Sequence, residues 1–546
     1  MPAVDFTLSW PDGSSQRCYS PSTVIEQVLV QGGVYPLDEL LRRCRAGLER
    51  ASERVREQRG MACTAAAQQL AEIEQRAIAF AVPADSTVTV SSLQRDQGSV
   101  THPAPETLSG HTEAIVVGAG QAGLAVSYCL CEQGVSHVVL ERDRMASSWR
   151  KERWDTFCLV TPNWQCRMPS YPYTGDDPDG FMLKDEIVAY VEGFAASFAP
   201  TLYEGVTVER VERDDRGFRV ITSRGELTAD HVVLAVGGYH VPAVPRIAAA
   251  LSPKLTQLHS SSYRNPYSLP AGPVLVVGSG QSGAQIAEDL HLAGREAHLS
   301  VGSAPRVARF YRGRDSVAWL EDMGHYDMAI DEHPEGLAAR KEPNHYVTGR
   351  DGGHDIDLRA LARDGMHLHG RLTGLDREGL SFAGDLAANL DAADATAERI
   401  KNSIDRFIAA RGIEAPTEPR YRPVWKPEPH DPEAGLKVPG GVNTIVWATG
   451  FRSDWSWVRV PAFDGSGYPT HHRGVTTVPG LYVLGLPWLH TWGSGRFAGI
   501  ERDARYIANR IGESRLVEES RAAAVLGPAG SSWRAAAAAA GSHGPA

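Results

Sequence analysis

A glycine-rich turn occurs twice in this chain of 546 residues, each time between a short apolar run and a predicted helix. In a dinucleotide-binding fold the first glycine makes the tight turn, the second lets the backbone approach a pyrophosphate, and the third lets helix and strand pack closely. The pyrophosphate then rests on the helix N-terminus, where unpaired N–H groups favour an anion. A lone copy is weak evidence, but two copies in the same setting predict two dinucleotide sites. The predicted contact residues are Gly118, Gly120, Gln121, Ala122 and Gly123 in the first copy and Gly278, Gly280, Gln281, Ser282 and Gly283 in the second.

Apolar strands alternate with helices from Thr112 onward, which is typical of an α/β sheet. We therefore predict an α/β fold with two Rossmann-like dinucleotide-binding domains, preceded by a small α+β module with a strand near 4–10 and helices near 37–59 and 62–80. A long polar insertion holds a further predicted helix at 391–411. The predicted boundaries are 1–97 for the N-terminal module, 98–111 for a linker, 112–270 for the first part of the first domain, 271–440 for the second domain with its insertion, 441–515 for the C-terminal part of the first domain, and 516–546 for a tail expected to be mostly disordered.

The two copies differ at the position where an acidic side chain holds a ribose. Counting 23 residues from the first glycine reaches Glu141 in the first copy and Val301 in the second. An acid at this position binds the ribose hydroxyls, so Glu141 predicts FAD in the first site. At the second site an acid would repel a 2′-phosphate, whereas the nearby Ser303, Arg306 and Arg309 would attract one. The second nucleotide is therefore predicted to be NADPH, and the sequence leaves open which arginine contacts it.

The composition narrows the partners and the compartment. A net charge of −11 without a basic cluster argues against nucleic acid as a partner. No run approaches the roughly 18 apolar residues that span a bilayer, and the start of the chain has no secretory signal pattern. The seven cysteines are sparse, odd in number and without a Cys-x-x-Cys pair. These features predict a cytoplasmic protein with free thiols that does not enter a membrane.

Several ordered segments resemble the flavin-containing monooxygenase superfamily, including the plant auxin-synthesis type. The resemblance covers about 112–511 and implies an FAD- and NADPH-dependent oxidoreductase acting on a small molecule and molecular oxygen. It also implies further FAD contacts, and a homodimer is one expected assembly. The segments that carry it are Leu140-Glu-Arg142, Ala146-Ser-Ser148-Trp149-Arg150, Thr161-Pro-Asn163, Met168-Pro169, His259-Ser-Ser-Ser-Tyr263, Ala448-Thr-Gly450 and Gly480-Leu-Tyr-Val-Leu-Gly485, from which Arg142, Ser148, Trp149, Gly450 and Gly485 are expected at the cofactor.

The resemblance also gives candidate catalytic residues. Many members of the superfamily place an asparagine over the flavin, and Thr161, Asn163 or Gln165 stands near its place in this sequence. Trp492 lies in an aromatic cluster after the last glycine-rich strand, where it either faces the flavin or substrate or serves as packing. No metal-ligand spacing and no Ser/His/Asp order stands out, so the flavin is expected to supply the chemistry.

The N-terminal module resembles a small bacterial family of nitrogen-starvation response proteins that accompany nitrilase gene clusters. The resemblance rests on the segments around 6–13, 18–21 and 51–55. It implies a fused pair that acts in nitrile or other nitrogen metabolism.

Two alternatives remain open from the sequence. The enzyme could be an NADPH:acceptor flavin reductase that inserts no oxygen. Residues 1–97 could be a docking module for another enzyme of the pathway.

Overall fold

A computed structural model describes residues 3–12, 14–20, 23–59, 86–96, 107–376, 379–428 and 441–526, with a few positions between 70 and 80. The chain divides into two compact units, Met1–Val100 and Thr101–Ala546. The predicted linker falls mostly outside the described residues. The predicted end of the N-terminal module at residue 97 lies three residues before the observed one.

The first unit is a four-stranded antiparallel sheet with a helix, as the α+β prediction requires. Its strands are β1 (Ala3–Ser9), β2 (Ser15–Ser20), β3 (Val34–Pro36) and β4 (Thr87–Asp96), in the order β2-β1-β4-β3. Alternate residues of β1, such as Val4, Phe6 and Leu8, are fully buried because side chains along a strand point to opposite faces. Helix α1 (Leu37–Arg59) matches the first predicted helix. The second, at 62–80, lies mostly outside the described residues.

The second unit contains two large sheets, the first mixed and the second entirely parallel. Its sheet strands in chain order are β5 (His111–Val117), β6 (His137–Leu140), β7 (Leu202–Tyr203), β8 (Val208–Asp214), β9 (Gly217–Thr222), β10 (Gly225–Leu234), β11 (Thr256–His259), β12 (Val274–Val277), β13 (Ala297–Ser300), β14 (His367–His369), β15 (Thr444–Trp447), β16 (His471–His472), β17 (Val475–Thr476) and β18 (Leu481–Val483). Its helices are α2 (Gln121–Glu132), α3 (Ser147–Lys151), α4 (Lys184–Phe198), α5 (Gln281–Leu292), α6 (Ser316–Asp322), α7 (Leu358–Arg363), α8 (Leu386–Arg411) and α9 (Ile500–Leu526).

The first large sheet has the order β16-β17-β18-β10-β5-β6-β7. Strands β8 and β9 form a hairpin, and β9 pairs antiparallel with the first half of β10. Strands β18, β10, β5, β6 and β7 are parallel, so the carboxyl ends of β5 and β6 meet at one edge. In an open α/β sheet, ligands bind at this edge. The first glycine turn follows β5 there.

The second large sheet is entirely parallel, in the order β11-β15-β12-β13-β14. It corrects two predicted boundaries, because β11 precedes residue 271 and β15 follows residue 440, yet both strands pair within this sheet. The predicted assignment of 441–450 to the first domain is therefore wrong. A four-residue apolar strand has the same pattern in either buried parallel sheet, so only its pairing partners reveal where it belongs.

Short paired segments connect the elements. Val241–Pro242 pairs with Phe451–Arg452 in an antiparallel ribbon where the chain passes between the two sheets. The other pairs are Arg167–Met168 with Tyr171–Pro172, Phe310–Tyr311 with Arg314–Asp315, and Leu372–Asp376 with Gly379–Phe382.

Two long helices complete the second unit. Helix α8 confirms the helix predicted in the insertion and begins five residues earlier than expected. Helix α9 packs on α2 and extends to Leu526, so the predicted tail at 516–546 begins too early, and its remainder lies outside the described residues. Within the described part of the chain, the helices are too short or too polar to cross a bilayer.

Candidate functional site

The two glycine turns have almost the same backbone geometry. Gly118 and Gly278 have φ angles of 104° and 103°, which favour glycine. A Cβ on Gly118 would lie 2.8 Å from the carbonyl oxygen of Ala235, and one on Gly278 would lie 2.6 Å from that of Ala448. Each turn therefore lies against the carbonyl end of a neighbouring parallel strand, with no room for a side chain.

The other glycines of each turn serve opposite purposes. A Cβ on Gly123 or Gly283 would lie 1.8 Å from the carbonyl oxygen of the first glycine in its own turn, so the helix packs there without a side chain. A Cβ on Gly120 or Gly280 would meet nothing within 4 Å. Open space at the N-termini of α2 and α5 fits a pyrophosphate at both turns. We call the turn at 118–123 with the N-terminus of α2 the first cradle, and the turn at 278–283 with the N-terminus of α5 the second cradle.

Glu141 lies at the end of β6, beside the first turn. Its side chain is buried and accepts hydrogen bonds from the N–H groups of Ala119 at 2.8 Å and Asp143 at 3.0 Å. Burial raises the pKa of this carboxyl group, and the two N–H donors act in the opposite direction. The carboxylate is thus fixed at the edge of the cradle, where the sequence predicts a ribose contact. The next residue, Arg142, is exposed.

Gln121 joins the first turn to two distant segments. Its Nε2 donates to the carbonyl of Gly495 at 3.1 Å, and its Oε1 accepts from Nε1 of Trp149 at 3.2 Å. The Trp149 ring stacks on Phe497 with centroids 5.9 Å apart. The predicted contact residue Trp149 therefore lies at the first cradle, while Ser148 beside it is exposed.

The segment between β18 and α9, residues 484–499, packs against the first cradle, and we call it the C-terminal segment. A Cβ on Gly485, which has a φ of 82°, would lie 2.7 Å from the Cβ of Ala122 on α2. Close contact between this strand end and the helix requires a glycine. The structure brings Gly485 and Ala122 together at the first turn, as the resemblance implies.

The second cradle has no acid at the equivalent position. Val301 is buried, and the hydroxyl of Ser279 accepts a hydrogen bond from Gly302 N–H at 3.0 Å. Ser303 is exposed beyond it. Gln281 donates to the carbonyl of Val347 at 2.6 Å, which ties the second turn to the insertion. Ser282 is exposed at the start of α5.

Arg306 and Arg309 are not available in the way that the sequence suggested. Arg306 is 3% exposed and its Nε bonds Asp394 at 2.7 Å; Arg309 is 1% exposed and its Nη2 bonds Asp315 at 2.6 Å. The second amino group of Arg309 donates to the carbonyl of Val160 at 2.6 Å. This contradicts the expectation that their guanidinium groups are free for a 2′-phosphate. The sequence pattern could not show that α8 supplies an acid 88 residues away.

Gly450 lies beside the second turn, a consequence of the placement of β15. Its carbonyl contacts Nε2 of His259 at 3.0 Å and accepts from the N–H of Ala243 at 2.9 Å. Its φ of 80° and the open space around it permit a close approach. The glycine was expected at a cofactor, and the structure places it directly before the segment Phe451–Arg452 that pairs with Val241–Pro242.

Asn163 has both ends of its side chain engaged by the protein. Its amide donates to the carbonyl of Asp177 at 2.9 Å, and its oxygen accepts from the N–H of Met182 at 2.8 Å. It is 4% exposed and braces the loop between those residues. Thr161 is half-buried, so it is the more accessible of the two candidates.

Gln165 points to the second domain rather than to the first cradle. It is 1% exposed, and its Nε2 donates to Oε2 of Glu321 on α6 at 3.2 Å. Its Oε1 is buried and has no hydrogen-bond partner among the described residues. The structure thus does not bring the three candidates Thr161, Asn163 and Gln165 to one point.

Trp492 lies in a cluster of aromatic and cationic side chains. Its ring centroid lies 4.5 Å from that of Tyr326, and the guanidinium of Arg496 lies 3.8 Å above it. On the other side of the same C-terminal segment, Arg153 lies 5.0 Å over the ring of Trp149. Sequence reasoning missed Arg153, because its only signal was its place just after α3.

One group of potential metal ligands occurs in the described part of the chain. Ligand atoms of Glu296, His298 and His367 lie within 4.8 Å of one another. The two imidazole rings are stacked, 4.5 Å apart and 16° from parallel. Ring-nitrogen lone pairs lie in the ring planes, so in this arrangement they run side by side and do not converge on one ion.

Comparisons with known proteins agree with a dinucleotide-binding oxidoreductase that follows a separate N-terminal module. Residues 5–93 match the family described as nitrogen starvation-induced protein NitG, and residues 115–319 match the pyridine nucleotide-disulphide oxidoreductase family. An uncharacterized oxidoreductase CzcO-like from Geobacillus kaustophilus is 31% identical over 404 residues, which is 73% of this chain and 98% of that protein.

Two further similarities extend the comparison. A probable indole-3-pyruvate monooxygenase, YUCCA4 of Arabidopsis thaliana, is 35% identical over 196 residues, covering 35% of this chain and 47% of that protein. The solved flavin-containing monooxygenase from Stenotrophomonas maltophilia aligns with a TM-score of 0.53 at 18% identity, over 74% of this chain and 99% of that one. The latter similarity confirms the predicted α/β fold with its dinucleotide-binding domains.

Proposed function

We propose that this chain is a monooxygenase, because it belongs to the CzcO-like oxidoreductases of the flavin-containing monooxygenase superfamily. It is therefore an NAD(P)H-dependent flavoprotein, and its cofactors are FAD and NADPH. It oxidises NADPH and inserts one atom of molecular oxygen into a small molecule. The observation that carries the proposal is the pair of matched glycine cradles, of which the first has the acid Glu141 and an aromatic wall beside it. We define the aromatic wall as Trp149, Phe157, Tyr190 and Phe497.

In this proposal the first cradle holds FAD. The N-terminus of α2 receives the pyrophosphate, and Glu141 accepts hydrogen bonds from the ribose hydroxyls. Gln121 keeps the turn, Trp149 and the C-terminal segment together around the cofactor. When bound, the flavin accepts hydride from NADPH and supplies the position at which oxygen is activated.

The second cradle holds NADPH on the N-terminus of α5. Val301 removes the charge that would repel a 2′-phosphate, and the exposed Ser303 offers it a hydroxyl group. With Arg306 and Arg309 paired inside the domain, the preference for NADPH rests on the missing acid more than on a dedicated arginine.

The aromatic wall supports oxygen transfer over simple electron transfer. Trp149 lies 6.0 Å from Phe157 and 5.9 Å from Phe497, and Tyr190 lies 5.6 Å from Phe497, measured between ring centroids. Such a wall keeps water away from the reacting centre, which protects reactive oxygen species from wasteful breakdown.

The cysteines argue against a disulfide as the electron acceptor. The sequence has no Cys-x-x-Cys pair. Cys158 and Cys166, which follow the segment with Trp149, are both buried, and burial raises the pKa of the Cys166 thiol to about 12. A thiol that stays protonated is a poor nucleophile for thiol–disulfide exchange.

The test is to measure oxygen insertion directly. Purified enzyme with FAD and NADPH is supplied with isotopically labelled oxygen and panels of small nitriles, amines, sulfides and keto acids. A monooxygenase incorporates one labelled atom into a product, and a true substrate lowers the yield of hydrogen peroxide per NADPH. If NADPH is consumed at full rate by a quinone or dye without oxygen, and no product gains the label, the reductase alternative replaces this proposal.

We also propose that the enzyme works in the cytoplasm in nitrogen metabolism, with residues 1–97 docking another enzyme of the pathway. The support is the match of residues 5–93 to the NitG family, whose description names nitrogen starvation. Removal of residues 1–97 should leave NADPH oxidation intact and abolish co-purification of the partner. Loss of FAD or of folding in the shortened chain would instead assign the module a structural role.

A further inference from the structure

Two arginines lie over aromatic rings near the first cradle. The guanidinium of Arg153 lies 5.0 Å over the Trp149 ring and 5.5 Å over the Phe157 ring. The guanidinium of Arg496 lies 3.8 Å over the Trp492 ring, and its neighbour in the chain, Phe497, stacks on Trp149. The two cations are therefore linked through the chain connection between Arg496 and Phe497 and the stacking of Phe497 on Trp149.

Neither arginine has a carboxylate partner within ion-pair distance in the part of the chain that the structure describes. Arg153 donates to the backbone carbonyl of Glu152 at 3.0 Å. Arg496 donates to the backbone carbonyl of Trp492 and to Oδ1 of Asn344 at 2.8 Å. A guanidinium has five N–H donors, so most of the donors on both side chains are unused.

Other arginines around the same region are neutralised. Arg150, three residues before Arg153, pairs with Glu192 on α4. Arg306 and Arg309 pair with carboxylates of the second domain. Arg150, Arg306 and Arg309 therefore each have an acid, whereas Arg153 and Arg496 have none within ion-pair distance among the described residues.

The surroundings of the two arginines make an unpaired charge costly. Burial lowers the pKa of both guanidinium groups; Glu152 and then Tyr239 oppose that shift in the pKa of Arg153, and Tyr239 and Tyr326 oppose it in the pKa of Arg496. Tyr239 itself is 55% exposed and packs against Phe451. A cation in such a place is stabilised when a ligand brings the missing anion.

We propose that Arg153 and Arg496 bind the carboxylate of the substrate, which makes the substrate class an organic acid with an aromatic or apolar body. This inference deepens the proposed function and rests on it for the word substrate. The planar guanidinium matches a carboxylate through two parallel hydrogen bonds, and the aromatic wall gives the apolar body a surface to lie on.

The test compares an acid with its neutral amide in a binding measurement that needs no turnover. The FAD-loaded enzyme is titrated with phenylacetate and with phenylacetamide, and the change in the flavin absorbance spectrum gives each Kd. We expect phenylacetate to bind at least about tenfold more tightly, because only the acid carries the charge. Equal Kd values for acid and amide in the wild-type enzyme would overturn the inference without any variant.

Variants then assign the preference to the two side chains. Arg153→Gln and Arg496→Gln should each reduce the acid-to-amide preference about tenfold, and Arg496→Lys should restore part of it. Arg219→Gln, on the exposed β8–β9 hairpin, is the matched control and should change neither Kd. FAD content and the Kd for NADPH should stay as in the wild-type enzyme.

The same variants exclude the competing anion. If either glutamine variant loses FAD or NADPH binding as strongly as it loses phenylacetate, the arginine serves a cofactor phosphate and the inference is overturned. Failure of the proposed function looks different, because a reductase would still bind the acid in preference to the amide while inserting no labelled oxygen.

Discussion

The two nucleotide cradles of this enzyme are close to copies in backbone and different in side chains. Their first glycines share a φ angle within 1°, and in both turns a Cβ on the last glycine would lie 1.8 Å from a carbonyl oxygen. At the end of the second strand, however, Glu141 is anchored by two N–H donors, whereas Val301 offers no charge.

This difference separates two kinds of information. The backbone determines that a dinucleotide binds, because a pyrophosphate needs only N–H groups and space. In our proposal, the side chain at the end of the next strand then selects which dinucleotide binds. The first cradle also contacts the C-terminal segment and Trp149 through Gln121, whereas Gln281 of the second contacts Val347 of the insertion.

The most damaging change is a side chain on the last glycine of a turn. Gly123→Ala should lower the affinity for FAD by about 100-fold or more, because the new Cβ overlaps the Gly118 carbonyl and forces the turn to move. Gly283→Ala should leave the bound flavin in place and reduce its reduction by NADPH to a similar extent. Flavin content and anaerobic reduction rates measure the two effects.

The control for both variants is Gly374→Ala, since a Cβ there meets nothing within 4 Å. It should behave as the wild-type enzyme in both measurements. If Gly123→Ala and Gly283→Ala have the same effect on both cofactors, the assignment of one nucleotide to each cradle is wrong.

The next effect concerns stability rather than binding. Arg309→Met should lower the free energy of unfolding by about 3–5 kcal/mol, because it leaves the largely buried Asp315 without its cation. Adding Asp315→Asn should restore part of the lost stability. The ratio of kcat/KM for NADPH to kcat/KM for NADH should not change in either variant. Denaturant unfolding and nucleotide kinetics check this. A selective rise in KM for NADPH at unchanged stability would instead support a 2′-phosphate contact.

The free energy of unfolding should depend on pH through Asp503, a buried acid near the first cradle. Asp503 lies on α9, which packs on α2, and burial raises its pKa from 3.8 to about 6. The folded state holds this proton more tightly, so stability is greatest below the unfolded pKa and falls as pH rises through about 6. Asp503→Asn should remove this fall and raise the free energy of unfolding at pH 8 by up to about 3 kcal/mol.

Urea unfolding across this pH range, with FAD saturating, measures the effect of Asp503. Asp464→Asn, which alters a carboxyl whose pKa is lowered by Ser466, is the control and should keep the fall. An unchanged pH profile in Asp503→Asn would show that another group titrates.

The smallest expected effect reverses the choice of nucleotide at the second cradle. Val301→Asp places a carboxylate where the first cradle has Glu141, so kcat/KM for NADPH should fall about tenfold relative to NADH through repulsion of the 2′-phosphate. Val301→Asn has the same shape without the charge and should preserve the preference. Equal losses with both nucleotides would mean that the packing around this buried position, rather than its charge, had changed.

The sequence was sufficient wherever the signal is local. The turns at 118–123 and 278–283, the acid at Glu141 and the helix at 37–59 each follow from neighbouring residues. It was insufficient where a partner lies far away in the chain. The placement of β15 depends on β11 and β12, the pairing of Arg306 depends on Asp394, and no spacing rule joins Arg153 to a segment that begins near Trp492.

The antiparallel ribbon of Val241–Pro242 and Phe451–Arg452 has a mechanical consequence. The chain leaves the first sheet and returns to it through these two paired segments. The second domain is therefore connected to the first by two linkers that are hydrogen-bonded to each other. Sliding one linker past the other would break their hydrogen bonds, whereas flexing both together preserves them. Any approach of the nicotinamide to the flavin is therefore channelled into a hinge-like swing about this ribbon.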